Sequence, residues 1–309
     1  MQCTRPVQAD YHKGGYMHPC GYCPACKHND RVSETFRTVQ ESRDAKEQWI
    51  ITLTYEDQHL PLINTSGELV WLENPERAMP EFHPTLLKED IDRFLNTLRT
   101  TQRRAFKKYC QASLSPIEAL PEPEIRYYYV GEYGGAYGRP HYHVIVFNLW
   151  ANLADEGRIS ELWNRGRVQV ETLSPASIHY VTGYIHEKND YLKGKQLKPF
   201  RNKSKGWGLR YEREAKEFHK KNFQPYIHFR GYKIPLPQYY RRRWFNEEDQ
   251  IKMQERINEW AQTLPEKEVE LWRITDQMKL PEGNVPRMTG QKAQTEYSIK
   301  SRNKKRKVL

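Results

Sequence analysis

The sequence predicts an α+β protein: a split βαβ antiparallel sheet with helices packed on one face, preceded by a Cys-rich N-terminal element and followed by a basic C-terminal extension. Three observations carry this. From Trp49 to Lys188 the strand and helix patterns run β-α-β-β-α-β-α, and the first six fit the split βαβ layout. Three of the five cysteines crowd into Cys20-Gly-Tyr-Cys23-Pro-Ala-Cys26. The 309 residues carry 50 Lys and Arg against 39 Asp and Glu, a net charge of +11, and residues 188–232 alone hold 13 cations against 4 acids.

Residues 1–27 are rich in Cys, Gly, Pro and His and show no period. Val32, Phe36 and Val39 stand at helical spacing within polar residues 28–48, with Asn29 or Asp30 as the expected cap. Trp49 to Tyr55 is β-branched and aromatic, hence a strand. Residues 56–84, punctuated by Pro61, Pro75, Pro80 and Pro84, read as loop. Thr85 is expected to cap a helix reaching about Tyr109, with Leu87, Ile91, Phe94, Leu95 and Leu98 on one face and a basic stretch from Arg99 to Lys108. Pro-rich residues 115–123 lead to a strand, Ile125 to Glu132. Gly134-Gly135 and Gly138-Arg139-Pro140 form a hairpin connection, and His141 to Phe147 returns as the next strand. A short helix ending near Trp163 precedes a strand from Arg167 to Glu171. Ser174 as cap and Pro175 in the first turn start a helix to about Lys188. Residues 246–264 form an amphipathic helix with Met253, Ile257, Trp260 and Leu264 on its apolar face. Lys300 to Leu309 carry six basic residues in ten and predict a disordered tail, in which Lys304 to Lys307 is an electrostatic arm or nothing. The expected organisation is a Cys-rich element and helix over 1–48, a central domain over 49–190, a basic and aromatic extension with a helix over 191–290, and the tail over 291–309.

Aromatic residues make up 12% of the chain, enough to build a core, so full disorder is excluded. The longest apolar run, Val144 to Phe147, is far short of the roughly 20 residues that span a bilayer. No basic-then-apolar leader opens the chain, so a reducing compartment is expected, where clustered thiols hold metal rather than form disulfides. The positive balance with many aromatics points to a polyanion, most simply nucleic acid, against the plainer alternative of a solvated basic surface.

His141-Tyr142-His143 opens an apolar strand, and alternation places both imidazoles on one face. Two imidazoles so placed can grip one divalent ion. Glu132 ends the preceding strand and would face them across the hairpin. Two His and a carboxylate suit Mg²⁺ or Mn²⁺ and leave coordination positions open for a phosphate. The alternative is a pair of hydrogen-bonded surface histidines and a solvated Glu. Tyr180, Tyr184 and Lys188 are spaced four apart and line one ridge of their helix, beside an apolar stripe of Ile178, Val181 and Ile185. A tyrosine hydroxyl there could attack a phosphodiester, with Lys188 stabilising charge. Aromatic packing with an exposed Lys is the bland alternative.

Taken together, Pro140-His-Tyr-His-Val144 followed by Tyr180-Val-Thr-Gly-Tyr-Ile-His-Glu-Lys188 resembles the HUH endonucleases. Ile51-Thr-Leu-Thr-Tyr55 resembles that family's first motif. The match looks closer to the rolling-circle replication initiation proteins of microviruses, the gokushovirus-like single-stranded-DNA phages. Cys3 with Cys20-Gly-x-Cys23-x-x-Cys26, Gly131-Glu-Tyr-Gly134 and Tyr226 to Pro235 all resemble that group. The resemblance covers roughly residues 1 to 245. Where similar proteins often carry basic residues around the second Tyr, this chain has Gly183 and Glu187, so Lys188 takes the lysine role.

The resemblance implies an HUH fold and a metal-dependent nickase and strand transferase acting on origin DNA. It implies that His141, His143 and Glu132 bind Mg²⁺ or Mn²⁺ and that one Tyr attacks phosphorus to leave a 5′-phosphotyrosine and a free 3′-OH. The second Tyr would attack the new junction and release a circle. Proximity to Lys188 favours Tyr184 for the first attack and Tyr180 for the joining step. Host cytoplasm and a host helicase are implied as well, since the sequence has no nucleotide-binding loop for unwinding. Cys3, Cys20, Cys23 and Cys26 could make a four-thiolate zinc site, with His12, His18 or His28 as substitute ligands. An iron–sulfur cluster and no metal are the rivals. Cys110 stands alone as a small hydrophobe. Residues 188–232 read as a surface for phosphates and stacked bases. From a different class, a non-catalytic zinc-dependent nucleic-acid-binding protein fits the same composition; a relaxase or transposase is a third possibility that the microvirus-like flanks argue against.

Overall fold

The computed structural model describes residue 3 and residues 5–8, 17–71, 82–112, 124–134, 138–183 and 196–263. The strands are β1 (Val7–Gln8), β2 (Met17–His18), β3 (Gln48–Thr54), β4 (Leu62–Ile63), β5 (Leu69–Val70), β6 (His83–Pro84), β7 (Arg126–Tyr133), β8 (Pro140–Phe147), β9 (Val168–Thr172), β10 (Phe200–Lys203), β11 (Tyr226–Phe229) and β12 (Tyr232–Pro235). The helices are α1 (Pro24–Ser42), α2 (Lys88–Ala112), α3 (Glu156–Trp163), α4 (Pro175–Gly183), α5 (Arg210–Asn222), α6 (Gln238–Trp244) and α7 (Glu247–Thr263). The described residues form two compact units, one from residues before 41 and after 207, the other from residues 41–207.

The unit of residues 41–207 is built on a five-stranded sheet of order β10-β7-β8-β3-β9, with every pair antiparallel. β8 is central, and Val144 to Phe147 are fully buried on both faces. Tyr142, Val144 and Val146 join Ile91, Phe94, Leu95 and Leu98 of α2 and Ile159 and Trp163 of α3 in one apolar core. The alternate residues point the other way: Phe147 stacks on Trp207 at 5.3 Å, and His143 meets α4 through the Tyr180 ring. α4 therefore covers the opposite face, which corrects the expectation of helices on one face only. A strand that is apolar on both sides needs cover on both.

Other departures are local. α1 begins at Pro24, whose missing N–H costs nothing in a first turn, so Asn29 and Asp30 lie inside the helix and cap nothing. α2 starts three residues after Thr85, which is buried and whose hydroxyl accepts the Leu197 N–H at 3.1 Å instead of capping. Residues read as loop hold a single 3₁₀ turn, Asp57–His59, and a small sheet of order β5-β4-β6. Pro75 and Pro80 lie outside the described residues. β10, counted in the sequence with the extension after residue 190, pairs with β7 as the sheet edge.

Gly166 turns the chain from α3 into β9 against the end of β3. A Cβ there would meet the Thr54 carbonyl oxygen at 2.5 Å and the Glu56 nitrogen closer still, both backbone atoms that cannot swing aside. Gly166→Ala is expected to lower unfolding free energy by about 3 kcal/mol, as overpacking does. A urea melt with an unchanged midpoint would contradict that close approach.

In the other unit, Cys23, Ala25, Cys26 and Phe36 of the N-terminal segment pack with Ile227, Ile234, Leu236, Tyr240, Trp244, Phe245, Met253 and Ile257. The Cys-rich element and the chain after residue 207 thus share one core. Gly208, at φ +78°, lets its backbone pass the Arg37 carbonyl, and its own carbonyl accepts the Tyr240 hydroxyl at 2.7 Å. α7 buries Met253 and Ile257 with Trp260 packed beside them, while Leu264 and the tail 291–309 lie outside the described residues. Among the described residues no helix is long and apolar enough to cross a membrane.

Candidate metal and nucleophile site

The hairpin register sets Glu132 of β7 directly opposite His141 of β8, and Val130 opposite His143. β3, on the other flank, sets Thr52 opposite His143 and Thr54 opposite His141. Glu132 is only 2% exposed and His143 7%. His141 Nε2 lies 2.7 Å from Glu132 Oε1, and His143 Nε2 lies 3.6 Å from the same oxygen. One donor atom from each of the three falls within 4.8 Å of the others.

The outer ring nitrogens decide what this arrangement can hold. His141 Nδ1 is 3.2 Å from the Arg139 carbonyl oxygen, which can only accept, so Nδ1 carries the proton and Nε2 presents a lone pair to Glu132. A lone pair and a carboxylate oxygen at 2.7 Å repel unless positive charge lies between them, either a proton or a metal cation. His143 Nδ1 is 3.1 Å from Thr52 Oγ1, which can accept its proton in the same way. Two imidazole nitrogens and a carboxylate oxygen, turned inward and supported from behind, fit a divalent cation of the Mn²⁺ or Mg²⁺ kind. Arg139 is fixed in turn by Asp57 at 2.5 Å and the Tyr55 carbonyl at 2.8 Å.

Tyr180 is the tyrosine on this face. Its ring stands 5.6 Å from the His143 ring, and the residue is 37% exposed. Tyr55 and Tyr142 lie on the other face, bonded to each other at 3.0 Å, with Tyr55 also donating to Asp90 at 2.9 Å. Burial pushes both phenols far above their ordinary range, and it raises Tyr129 and Tyr133 as well. None of these four is a reachable nucleophile. Tyr184 and Lys188 lie outside the described residues, because α4 is described only to Gly183.

Sequence reasoning missed Thr52 and the Arg139 carbonyl. The signal for Thr52 was present: the alternation in Ile51-Thr-Leu-Thr54 puts both threonines on the polar face of β3. Thr52→Val is expected to raise the Mn²⁺ concentration for half-maximal activity about tenfold, the usual scale for an outer partner of a ligand, with Thr52→Ser restoring it. Equal metal dependence in the Val variant would contradict the role of Thr52.

The second cluster is Cys3, Cys20, Cys23 and Cys26, whose sulfurs fall within 4.8 Å of one another. Cys23 and Cys3 sulfurs are 3.8 Å apart and Cys20 and Cys26 sulfurs 3.9 Å, too long for disulfides. Four thiolates on a zinc at about 2.3 Å stand about 3.8 Å apart. The Cys20 and Cys23 amides donate to Cys3 Sγ at 3.3 Å and Cys20 Sγ at 3.4 Å, the kind of bond that supports a thiolate. Burial and the neighbouring thiols push the Cys26 thiol up, a penalty that a bound cation removes. His18 is turned to the Pro19 carbonyl at 3.2 Å, His28 lies within α1 and His12 outside the described residues.

Residues 188–232, expected to contact DNA, supply β10, α5 and the start of the β11–β12 hairpin. Lys203 sits over the Tyr128 ring at 5.5 Å, Arg230 over Phe229 at 5.3 Å and Lys233 over Tyr226 at 4.9 Å.

Residues 48–189 match the family model of the replication-associated protein ORF2. That stretch opens with β3 and contains every residue of the Glu132, His141, His143 and Tyr180 site, while the four cysteines fall outside it. The chain is 25% identical over 279 residues to replication-associated protein VP4 of Bdellovibrio phage phiMH2K, covering 78% of this chain and 76% of that one. The chain is a relative of phage replication-associated proteins. It is also 29% identical over 221 residues to replication-associated protein ORF2 of Spiroplasma virus 4, covering 64% of this chain and 58% of the relative. With replication-associated protein ORF4 of Chlamydia phage 1 the identity is 24% over 188 residues, 55% of this chain and 38% of that one. The match thus spans less than two thirds of the length of the latter two relatives. No solved structure matches the chain at comparable significance.

Proposed function

We propose that this chain starts and ends rolling-circle replication of a single-stranded-DNA phage by nicking and rejoining the origin strand as an HUH endonuclease. The observation that carries this is the convergence of Glu132, His141 and His143 with the exposed Tyr180 ring on one face of the sheet. The relatives' names supply the replication context.

A divalent cation held by the three ligands would supply Lewis-acid charge to the non-bridging oxygens of the scissile phosphate. The sheet holds the histidines rigid, with their outer nitrogens engaged by Thr52 and the Arg139 carbonyl. A Tyr180 or Tyr184 hydroxyl attacks phosphorus, forming the P–Oη bond as the P–O3′ bond breaks. The phenol proton ends on the departing 3′-oxygen, and Lys188 balances the phenolate charge. The 3′-OH primes synthesis. Because the phosphotyrosine keeps the energy of the phosphodiester, the other Tyr can carry the second transfer and release a circle without a nucleotide cofactor. The Cys cluster holds a structural Zn²⁺, residues 188–232 track the single strand, and a host helicase unwinds the duplex in the bacterial cytoplasm.

The test is an oligonucleotide assay with Mn²⁺ and origin-like single-stranded DNA. A 3′-labelled strand should become bonded to the protein and a 5′-labelled strand should be shortened, both only with metal. A protein that binds the DNA but never cuts it, over a fair range of sequences, would be the non-catalytic binding module instead.

A further inference from the structure

The C-terminal half of α2 has no part in the site just described, and its charge pattern is unusual. From Arg93 to Ala112 there are six cations, Arg93, Arg99, Arg103, Arg104, Lys107 and Lys108, and no acid. The first turn is different: Glu89 and Asp90 stand there, and Lys88 is paired with Asp92. Arg99 and Arg103, Arg103 and Lys107, and Arg104 and Lys108 are each four apart, so like charges face each other along the helix, which destabilises it.

The buried residues Ile91, Phe94, Leu95, Leu98 and Gln102 define the core face of α2, and at 100° per residue the cations fan out around the opposite side. Arg103, Arg104, Lys107 and Lys108 are exposed, and among the described residues Arg104, Lys107 and Lys108 make no ion pair. An aromatic flank borders this face. Trp150 packs edge-on against Phe106 at 6.0 Å and Tyr109 at 5.9 Å, and Tyr109 remains 54% exposed. Gln102 fixes the helix here, donating to the Asn148 carbonyl and accepting the Trp150 N–H, at 2.9 and 3.0 Å. The patch is therefore rigid and sits beyond the Phe147 end of β8. Six residues, about 20 Å of strand, separate Phe147 from His141.

We propose that this face of α2 is a binding track for single-stranded DNA, separate from the cutting site. The cations meet consecutive phosphates, and Tyr109 and Trp150 offer stacking surface to unpaired bases. The like-charge spacing is relieved when a polyanion is bound. The choice of DNA as ligand rests on the nuclease function proposed above; the existence of an anion track rests on α2 alone. Because it is remote from the histidines, the track acts on capture of the strand and not on the chemical step.

The test replaces three exposed cations together, Arg104→Gln, Lys107→Gln and Lys108→Gln, and measures binding of single-stranded DNA of about 30 nucleotides against salt, beside wild type and His143→Ala. The triple variant should bind about tenfold more weakly at 0.1 M salt, with the slope of log affinity against log salt reduced by about 2, since each single-strand phosphate contact contributes about 0.7. At saturating DNA it should cut at the wild-type rate, so KM rises and kcat does not. His143→Ala should bind with the wild-type slope. Unchanged affinity and slope in a folded triple variant would overturn the track, as would wild-type binding to anionic vesicles but not to DNA. If wild type binds and never cuts while the triple variant loses binding, the track stands and the nuclease reading falls.

Discussion

His143→Ala should abolish nicking while leaving single-stranded DNA binding near wild type. The loss should be about 1000-fold or more in kcat, because an aligned cation is worth several kcal/mol of transition-state charge and each 1.36 kcal/mol is a factor of ten. His143 is the ligand enclosed most deeply, held by Thr52 behind and against Tyr180 in front. Removing its ring takes away one of three donor atoms and the surface that positions the tyrosine. Affinity should persist, because phosphate contacts elsewhere supply it. His141→Ala and metal chelation should give the same dead but binding-competent protein. Circular dichroism distinguishes this from misfolding. Full nicking by either variant, or in EDTA, would remove these residues from the chemistry.

Cys26→Ser should cost the protein its zinc and the fold of the unit that holds the cluster. Structural zinc in small domains is worth roughly 10–16 kcal/mol of apparent binding energy at pH 7, as large as the whole stability of most domains. Cys26 lies in the first turn of α1, which carries Phe36 into the core with Tyr240, Trp244 and Met253. Losing the metal therefore unpins a helix and an aromatic core together. Wild type should contain about one zinc per chain and the variant far less. The variant should also show a red-shifted, early-melting tryptophan signal from Trp244 and its neighbours. A metal-free wild type that is fully folded would refute the site.

The parts of this molecule legible in its sequence were those set by local period and spacing. Alternation in His141-Tyr142-His143 put two imidazoles on one face, and a short hairpin connection brought Glu132 opposite them. Both follow from two-residue strand geometry, without distant contacts. The long apolar faces of α2 and α7 were readable for the same reason. What escaped notice depends on contacts far apart in the chain. β10 pairs with β7 across some 70 residues, and nothing within Phe200 to Lys203 announces a strand. β4, β5 and β6 have two residues each, too few to show a period. The shared core of Phe36 with Tyr240 and Trp244 joins the two ends of the sequence, which no local pattern encodes. The second covered face was knowable, since Val144 to Phe147 are apolar without alternation, but that demand was not carried through to α4. At the site, Tyr180 was found from its helix spacing, whereas the Arg139 carbonyl, a main-chain group, leaves no mark in a sequence.

The chemistry turns on where the DNA becomes attached. The decisive measurement is the covalent adduct formed with Mn²⁺ and origin-like single-stranded DNA, digested and mapped by mass spectrometry in wild type, Tyr180→Phe, Tyr184→Phe and the double variant. Phe keeps the ring against His143 and removes only the hydroxyl. Attachment through a 5′-phosphate to Tyr184 or Tyr180 is expected in wild type. Tyr184→Phe should lose most of the adduct, Tyr180→Phe should cut but fail to release circles, and the double variant should form none. A reversed ranking of the single variants would change only the order of the two steps. An adduct that survives in the double variant, mapped to any other residue, would contradict the tyrosine mechanism at its centre.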